Sequence, residues 1–103
     1  MAYTVLVDDN FHYMDVEERY TFGEYETLEE AIIVCKSIVD QYLKEIHEPG
    51  ITAEAMYKHY VSFGEDPFIR GVQATRREDV PFSAWTYARK RCEEICGGKV
   101  PGW

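Results

Sequence analysis

Cysteine, glycine-rich loops, long apolar runs and basic charge are all scarce in this 103-residue chain, and each scarcity removes a class of function. Three cysteines cannot complete a disulfide framework, and none stands in a Cys-x-x-Cys pair. An odd count suits a reducing compartment, so the expected localisation is cytoplasmic. No apolar run approaches the length of a membrane span, which predicts no membrane association. The start, Met1-Ala2-Tyr3-Thr4, has no basic stretch followed by an apolar one, so no secretory leader is expected. The glycines are scattered, and Gly97-Gly98 matches neither phosphate-binding fingerprint. Eleven Lys and Arg face nineteen Asp and Glu, for a net charge of −8, and the deficit is uneven. Residues 1–50 hold three basic and twelve acidic residues, a net of −9; residues 51–103 hold eight and seven, a net of +1. An acidic half repels phosphate backbones, so no nucleic-acid binding is expected.

What is present is a small aromatic-rich domain. The length fits one domain, residues 1–103, able to bury roughly two thirds of its unfolded surface. Aromatics are 15% of the chain, and eight of the fifteen are tyrosine, so some rings must sit at the boundary with the hydroxyl in water. Core volume is the plain account of these rings; tyrosine is also enriched at interfaces.

The clearest element is a helix from Leu28 to Ile46. Thr27-Leu28-Glu29-Glu30 is a capping box in which Thr27 accepts from the Glu30 N–H and Glu30 reaches back to the Thr27 N–H. Leu28, Ile32, Cys35, Val39, Tyr42 and Ile46, widened by Ala31, Ile38 and Leu43, repeat with helical period. Glu29, Glu30, Lys36, Ser37, Asp40, Lys44 and Glu45 form the opposite, polar face.

Before this helix, Tyr3–Asp8 and Arg19–Tyr25 alternate as strands, with Tyr3, Val5 and Val7 on one face and Gly23 marking a bulge. After it, His47-Glu48-Pro49-Gly50 is a turn. Thr52 caps a helix over Ala53–Phe63, with Gly64 as its C-terminal cap. Glu65-Asp66-Pro67 reads as a turn, Phe68–Val72 as a short strand, and Gln73–Pro81 as an exposed loop. Ser83 caps a last helix over Ala84–Cys96, ended by Gly97-Gly98. The order strand-strand-helix-helix-strand-helix predicts an α+β fold: a small antiparallel sheet of two or three strands with three helices packed on one face. The other sheet face then needs a cover, either long aromatic side chains or a second copy of the chain.

Val7-Asp8-Asp9-Asn10-Phe11-His12-Tyr13-Met14, followed by Glu18-Arg19-Tyr20 and the capped helix, resembles the opening of a group of small uncharacterised bacterial proteins. Gly64-Glu65-Asp66-Pro67-Phe68 and Phe82-Ser83-Ala84-Trp85 extend the likeness over most of the chain. The resemblance implies no activity, cofactor or catalytic residue.

The stretch from Asp8 to Glu18 is the first candidate for chemistry. Asp8, Asn10 and His12 alternate like the first ligands of a calcium loop, but the sixth position is Tyr13 in place of glycine and the twelfth is Arg19 in place of glutamate. Asp8, Asp9 and Asp15 could form a looser divalent-cation site, but solvated turn carboxylates are the favoured account. His12 lies among acids that favour its imidazolium, yet no nucleophile is tied to it. Cys35, Cys92 and Cys96 could gather around zinc if their helices touched. All three occupy apolar helical positions, which favours plain packing. Arg70, Arg76 and Arg77, with Arg89, Lys90 and Arg91, are interleaved with acids and read as a mixed surface. No serine is anchored in a triad-like arrangement, and no cofactor is expected.

Three functional readings remain. The leading one is a non-enzymatic interaction or regulatory module that binds a protein partner or itself, through Asp9, Asn10, Phe11, His12, Tyr13 and Met14 or through the open sheet face. A narrower variant is an acidic inhibitor that imitates nucleic acid. The alternative is a small enzyme or ligand-binding domain around Asp9, His12 and Tyr13, with Arg76 or Arg77 reaching an anionic ligand.

Overall fold

A computed structural model describes residues 3–12, 19–71 and 82–100, with only the backbone of His12. Strand β1 (Tyr3–Asp9) runs into a 3₁₀ turn, Asn10–His12; then follow β2 (Tyr20–Tyr25), α1 (Leu28–Ile46), α2 (Ala53–Phe63), β3 (Glu65–Gly71) and α3 (Ala84–Cys96). The strands form one antiparallel sheet in the order β2-β1-β3. The fold is α+β, with the element order the sequence predicts.

The core is arranged along α1. Ala31, Cys35, Val39 and Leu43, each four residues from the last, are wholly buried and form the centre line of its apolar stripe. The first two pack with Val5 and Ile69 on the sheet. The last two pack with Met56, Tyr57 and Tyr60 of α2 and with Ala84, Ala88 and Cys92 of α3. One helix thus supplies both layers, and the half-buried Phe82 borders both clusters. The tail returns to this core: Val100 is buried, its N–H donates to Glu93 Oε2 at 2.9 Å, and its carbonyl accepts from Arg89 Nη2 at 2.9 Å.

The helix ends follow from side-chain chemistry. Thr27, Thr52 and Ser83 each accept from the N–H three residues on. The capping box is closed differently from the sequence expectation: the Thr27 hydroxyl donates to Glu30 Oε1 at 3.1 Å. Gly97 ends α3 with φ +75°, a conformation that favours glycine. Gly64 ends α2 for another reason. Its φ is −77°, open to any residue, but an added Cβ would lie 2.6 Å from Tyr60 Cδ1 and 2.7 Å from the Tyr60 carbonyl oxygen. The bulge is also present: Val5 pairs with Gly23 and Leu6 with Thr21, leaving Phe22 as the extra residue.

Three local expectations are corrected. Glu65-Asp66-Pro67 is not a turn but the start of β3, where Asp66 pairs with Asp8 and Pro67 with Val7. An edge strand has no partner on one side, so it tolerates a proline that a central strand would not. Asp8 is not a solvated turn carboxylate: it is 1% exposed and bound by Arg19, whose Nε and Nη2 lie 2.6 and 3.1 Å from its two oxygens. Asp40 and Arg91 are not simply in water: they join α1 to α3 at 3.0 Å, and the Tyr87 hydroxyl donates to the same carboxylate.

The sheet face turned away from α1 is covered at Phe68 by side chains of another kind than expected. Phe68 is 6% exposed, and the guanidinium groups of Arg19 and Arg70 lie 4.9 and 5.6 Å from its ring centre. Cationic side chains with long stems can shield an aromatic ring while keeping their charge near water.

Candidate interaction surface

The 3₁₀ turn after β1 is fixed by one buried side chain, Asn10. Its backbone N–H donates to the Gly64 carbonyl at 2.9 Å. Its Nδ2 donates to the Tyr60 carbonyl at 2.8 Å, and its Oδ1 accepts from Trp85 Nε1 at 3.1 Å. A carbonyl can only accept and an indole N–H can only donate, so the two partners set which way the amide faces. Asp9, half-buried, adds an Asx-type contact by accepting the Phe11 N–H at 2.8 Å. The turn is therefore tied to α2, to the α2–β3 junction and to α3.

What this turn presents is Phe11. Its ring is 62% exposed and stacks on Phe63, 54% exposed, with centroids 5.5 Å apart. From Phe63 the aromatic contacts continue to His59 at 5.6 Å and from His59 to Tyr42 at 5.8 Å. The Tyr42 hydroxyl and His59 Nδ1 share a hydrogen bond of 2.7 Å. Tyr42 in turn lines a groove of about 360 Å³ together with Tyr20, Phe22, Ser37, Ile38, Gln41, Glu45 and Glu65. Tyr20 and Phe22 are about half exposed. Phe22, the extra residue of the bulge, lines the groove two residues on from Tyr20. A band of rings in contact thus runs from Phe11 to Tyr42, and the groove that Tyr42 lines extends it to Tyr20 and Phe22, across four elements.

The band is acidic at its edges. Burial, followed by the nearby charges of Asp9, Glu45 and Glu65, holds the Tyr42 hydroxyl above its ordinary pKa. Tyr20 is raised by burial and then by its hydrogen bond to Glu65, at 2.6 Å from Oε2. Both hydroxyls remain protonated donors at neutral pH.

Of the residues singled out in the sequence, Asp9 and Phe11 lie at this surface, and Asn10 lies beneath it as the anchor. The side chain of His12, with Tyr13, Met14, Asp15, Arg76 and Arg77, falls outside the described residues. Sequence reasoning missed Tyr20, Phe22, Tyr42 and Phe63 as surface groups. Phe63 carried no signal, since Ala53, Met56, Tyr60 and Phe63 follow one another in steps of three, four and three and by period it continues the stripe that α2 buries.

The three cysteines do not gather at one point. Cys35 belongs to the sheet-side cluster and Cys92 to the helix-side cluster, while Cys96 Sγ lies 3.9 Å from Met56 Sδ. Burial, aided by Asp66, pushes the Cys35 thiol up to about 12; burial, aided by Cys96 and Glu93, does the same for Cys92. Among the described residues no three His, Cys, Asp or Glu are grouped to hold a metal ion. A second groove, about 310 Å³, lies between α1 and α3 beside Asp40, Lys44, His47, Arg91 and Ile95. Its guanidinium is already committed to Asp40 and Glu94, each at 3.0 Å. No helix among the described residues is long and apolar enough to cross a membrane. Comparisons with protein-family models, with curated proteins and with solved structures find no match to this chain.

Proposed function

We propose that the protein is a small non-enzymatic interaction module that docks a partner protein on the aromatic band. The observation that carries this reading is the Phe11–Phe63 pair: two stacked rings, each more than half exposed, on a turn held by three hydrogen bonds from one buried asparagine. Ordering two large side chains costs entropy unless the fold has already done so, and a pre-ordered aromatic pair retains more of its contact energy on binding. Rings of this kind, displayed on a rigid scaffold, are common anchors of protein interfaces. The three free thiols fit a reducing compartment, and we place the protein in the cytoplasm.

The test is selection from a displayed random-peptide library on the folded wild-type protein and on the double variant F11S/F63S. Both rings are exposed, so the variant should keep the wild-type unfolding free energy to within about 1 kcal/mol. The reading expects a recurrent apolar motif enriched on the wild type and lost on the variant. Equal enrichment on both proteins, or none on either, refutes it.

A further inference from the structure

We propose that the groove between β2 and α1 reads a basic side chain of the partner, a Lys or Arg next to its apolar anchor. This rests on the interaction reading above and names the chemistry of the partner. The groove adjoins the Phe11–Phe63 pair through Tyr42 and His59, so one short segment can reach both. Its floor and walls are rings and aliphatic carbon from Tyr20, Phe22, Ile38 and Tyr42. Its charged lining among the described residues is Glu45 and Glu65, with no Lys or Arg.

Both carboxylates are held in place by neighbours that leave acceptor capacity. The Tyr20 hydroxyl donates to Glu65 Oε2 at 2.6 Å, and Gln41 Nε2 donates to Glu45 Oε1 at 3.1 Å. A carboxylate has about four acceptor positions, so each can still receive an ammonium or guanidinium donor. Asp9 adds to the negative field at Tyr42 without lining the groove. An alkyl stem laid along Tyr20 and Phe22 would bury its carbons while its cation meets ring faces and carboxylates together. A volume of about 360 Å³ takes a few side chains, not a folded domain.

The same charge argues against other occupants. In a symmetric dimer formed through this face, the acidic rim of one copy would lie against the acidic rim of the other. A phosphate backbone would be repelled for the same reason.

The test uses the peptides selected on the wild-type protein. The proposal expects a Lys or Arg beside the apolar anchor, affinity that falls as salt rises, and binding to E45Q/E65Q about tenfold weaker than to wild type. The single variant E45Q, at an exposed position bonded to Gln41, should show part of the same loss with an unchanged fold. Selected peptides without a basic preference, bound equally by wild type and E45Q/E65Q but lost on F11S/F63S, overturn this inference and leave the interaction reading standing. A wild-type protein that sediments as a dimer, dissociated by F11S/F63S, overturns it in favour of a second copy as occupant. No enrichment on any protein overturns both.

Discussion

Replacing Asn10 is the most direct test of what holds the displayed turn. Asn10 is 6% exposed and makes two side-chain hydrogen bonds, to the Tyr60 carbonyl and from Trp85 Nε1. N10A removes both. The Tyr60 carbonyl keeps the Gly64 N–H at 2.7 Å, so its loss is the net value of one bond, about 1 kcal/mol. The half-buried indole loses the Asn10 acceptor, which costs about 1–2 kcal/mol more. The sum of about 2–3 kcal/mol should lower the thermal midpoint by on the order of 10 °C. N10D separates the two partners. Its carboxylate still accepts from Trp85, but an oxygen now replaces the donor 2.8 Å from the Tyr60 carbonyl. The folded state therefore favours the protonated acid, and its folded pKa lies above the unfolded value of about 3.9. The native state then binds more protons than the unfolded one, and stability falls as pH rises through that window. Urea unfolding followed by far-ultraviolet circular dichroism at about pH 7 and about pH 4 reads both effects. N10D should lose its deficit toward the lower pH, while the N10A deficit stays constant relative to wild type. An N10A cost below about 0.5 kcal/mol, or parallel pH curves for the two variants, would show that Asn10 does not tie the turn to α2 and α3.

Three further outcomes are expected. G64A forces a Cβ to 2.6 Å from the Tyr60 ring and should cost about 1–3 kcal/mol in urea unfolding by overpacking; G50A, where nothing lies within 4 Å but φ is +86°, should cost about 1 kcal/mol from backbone strain alone. Disulfide-exchange reagents should label Cys96 first in the native protein, and Cys35 and Cys92 only after unfolding, because those two are wholly buried with thiols pushed up to about 12; equal rates for all three would refute the packing described. Burial and the hydrogen bond to Asp40 push the Tyr87 hydroxyl up to about 12, so the folded state retains a proton that the unfolded state loses near pH 10. Stability should then fall as pH rises from about 10 to about 12, and less steeply in Y87F.

The parts of the fold legible in the sequence are those fixed by neighbours in the chain. Thr27, Thr52 and Ser83 bond residues three positions away, and the α1 stripe repeats every three or four, so α1, α2 and α3 can be read directly. The start of β3 cannot. Glu65-Asp66-Pro67 has the composition of a turn, and only its pairing with β1, nearly sixty residues away, makes it a strand. The candidate surface divides the same way. Phe11 stands out as an apolar residue in a turn-like stretch. Its anchor does not, because Asn10 bonds Tyr60 and Trp85 across separations of 50 and 75 residues. Asp40 looks like a solvent position by period, and its partners Tyr87 and Arg91 lie 47 and 51 residues on.

The acid-rich first half of the chain acquires two separate meanings once folded. Asp8 and Asp40 are structural: each carboxylate is held by an arginine, one beneath the sheet and one between helices. Removing either guanidinium would take a cationic partner from its carboxylate, and at Asp8, which is 1% exposed, the cost should reach about 3 kcal/mol. Glu45 and Asp9 do something else. They border the ring band, joined there by Glu65 from the second half, and their charges add to the negative field at Tyr42. Exposed carboxylates contribute little to stability, so charge-neutral variants at Glu45 should leave the unfolding midpoint almost unchanged. If E45Q is neutral for stability yet weakens a basic peptide, the negative charge at that edge serves recognition. If R19A is also neutral, then Asp8 is not held as described, and the division of the acidic half into framework and surface fails with it.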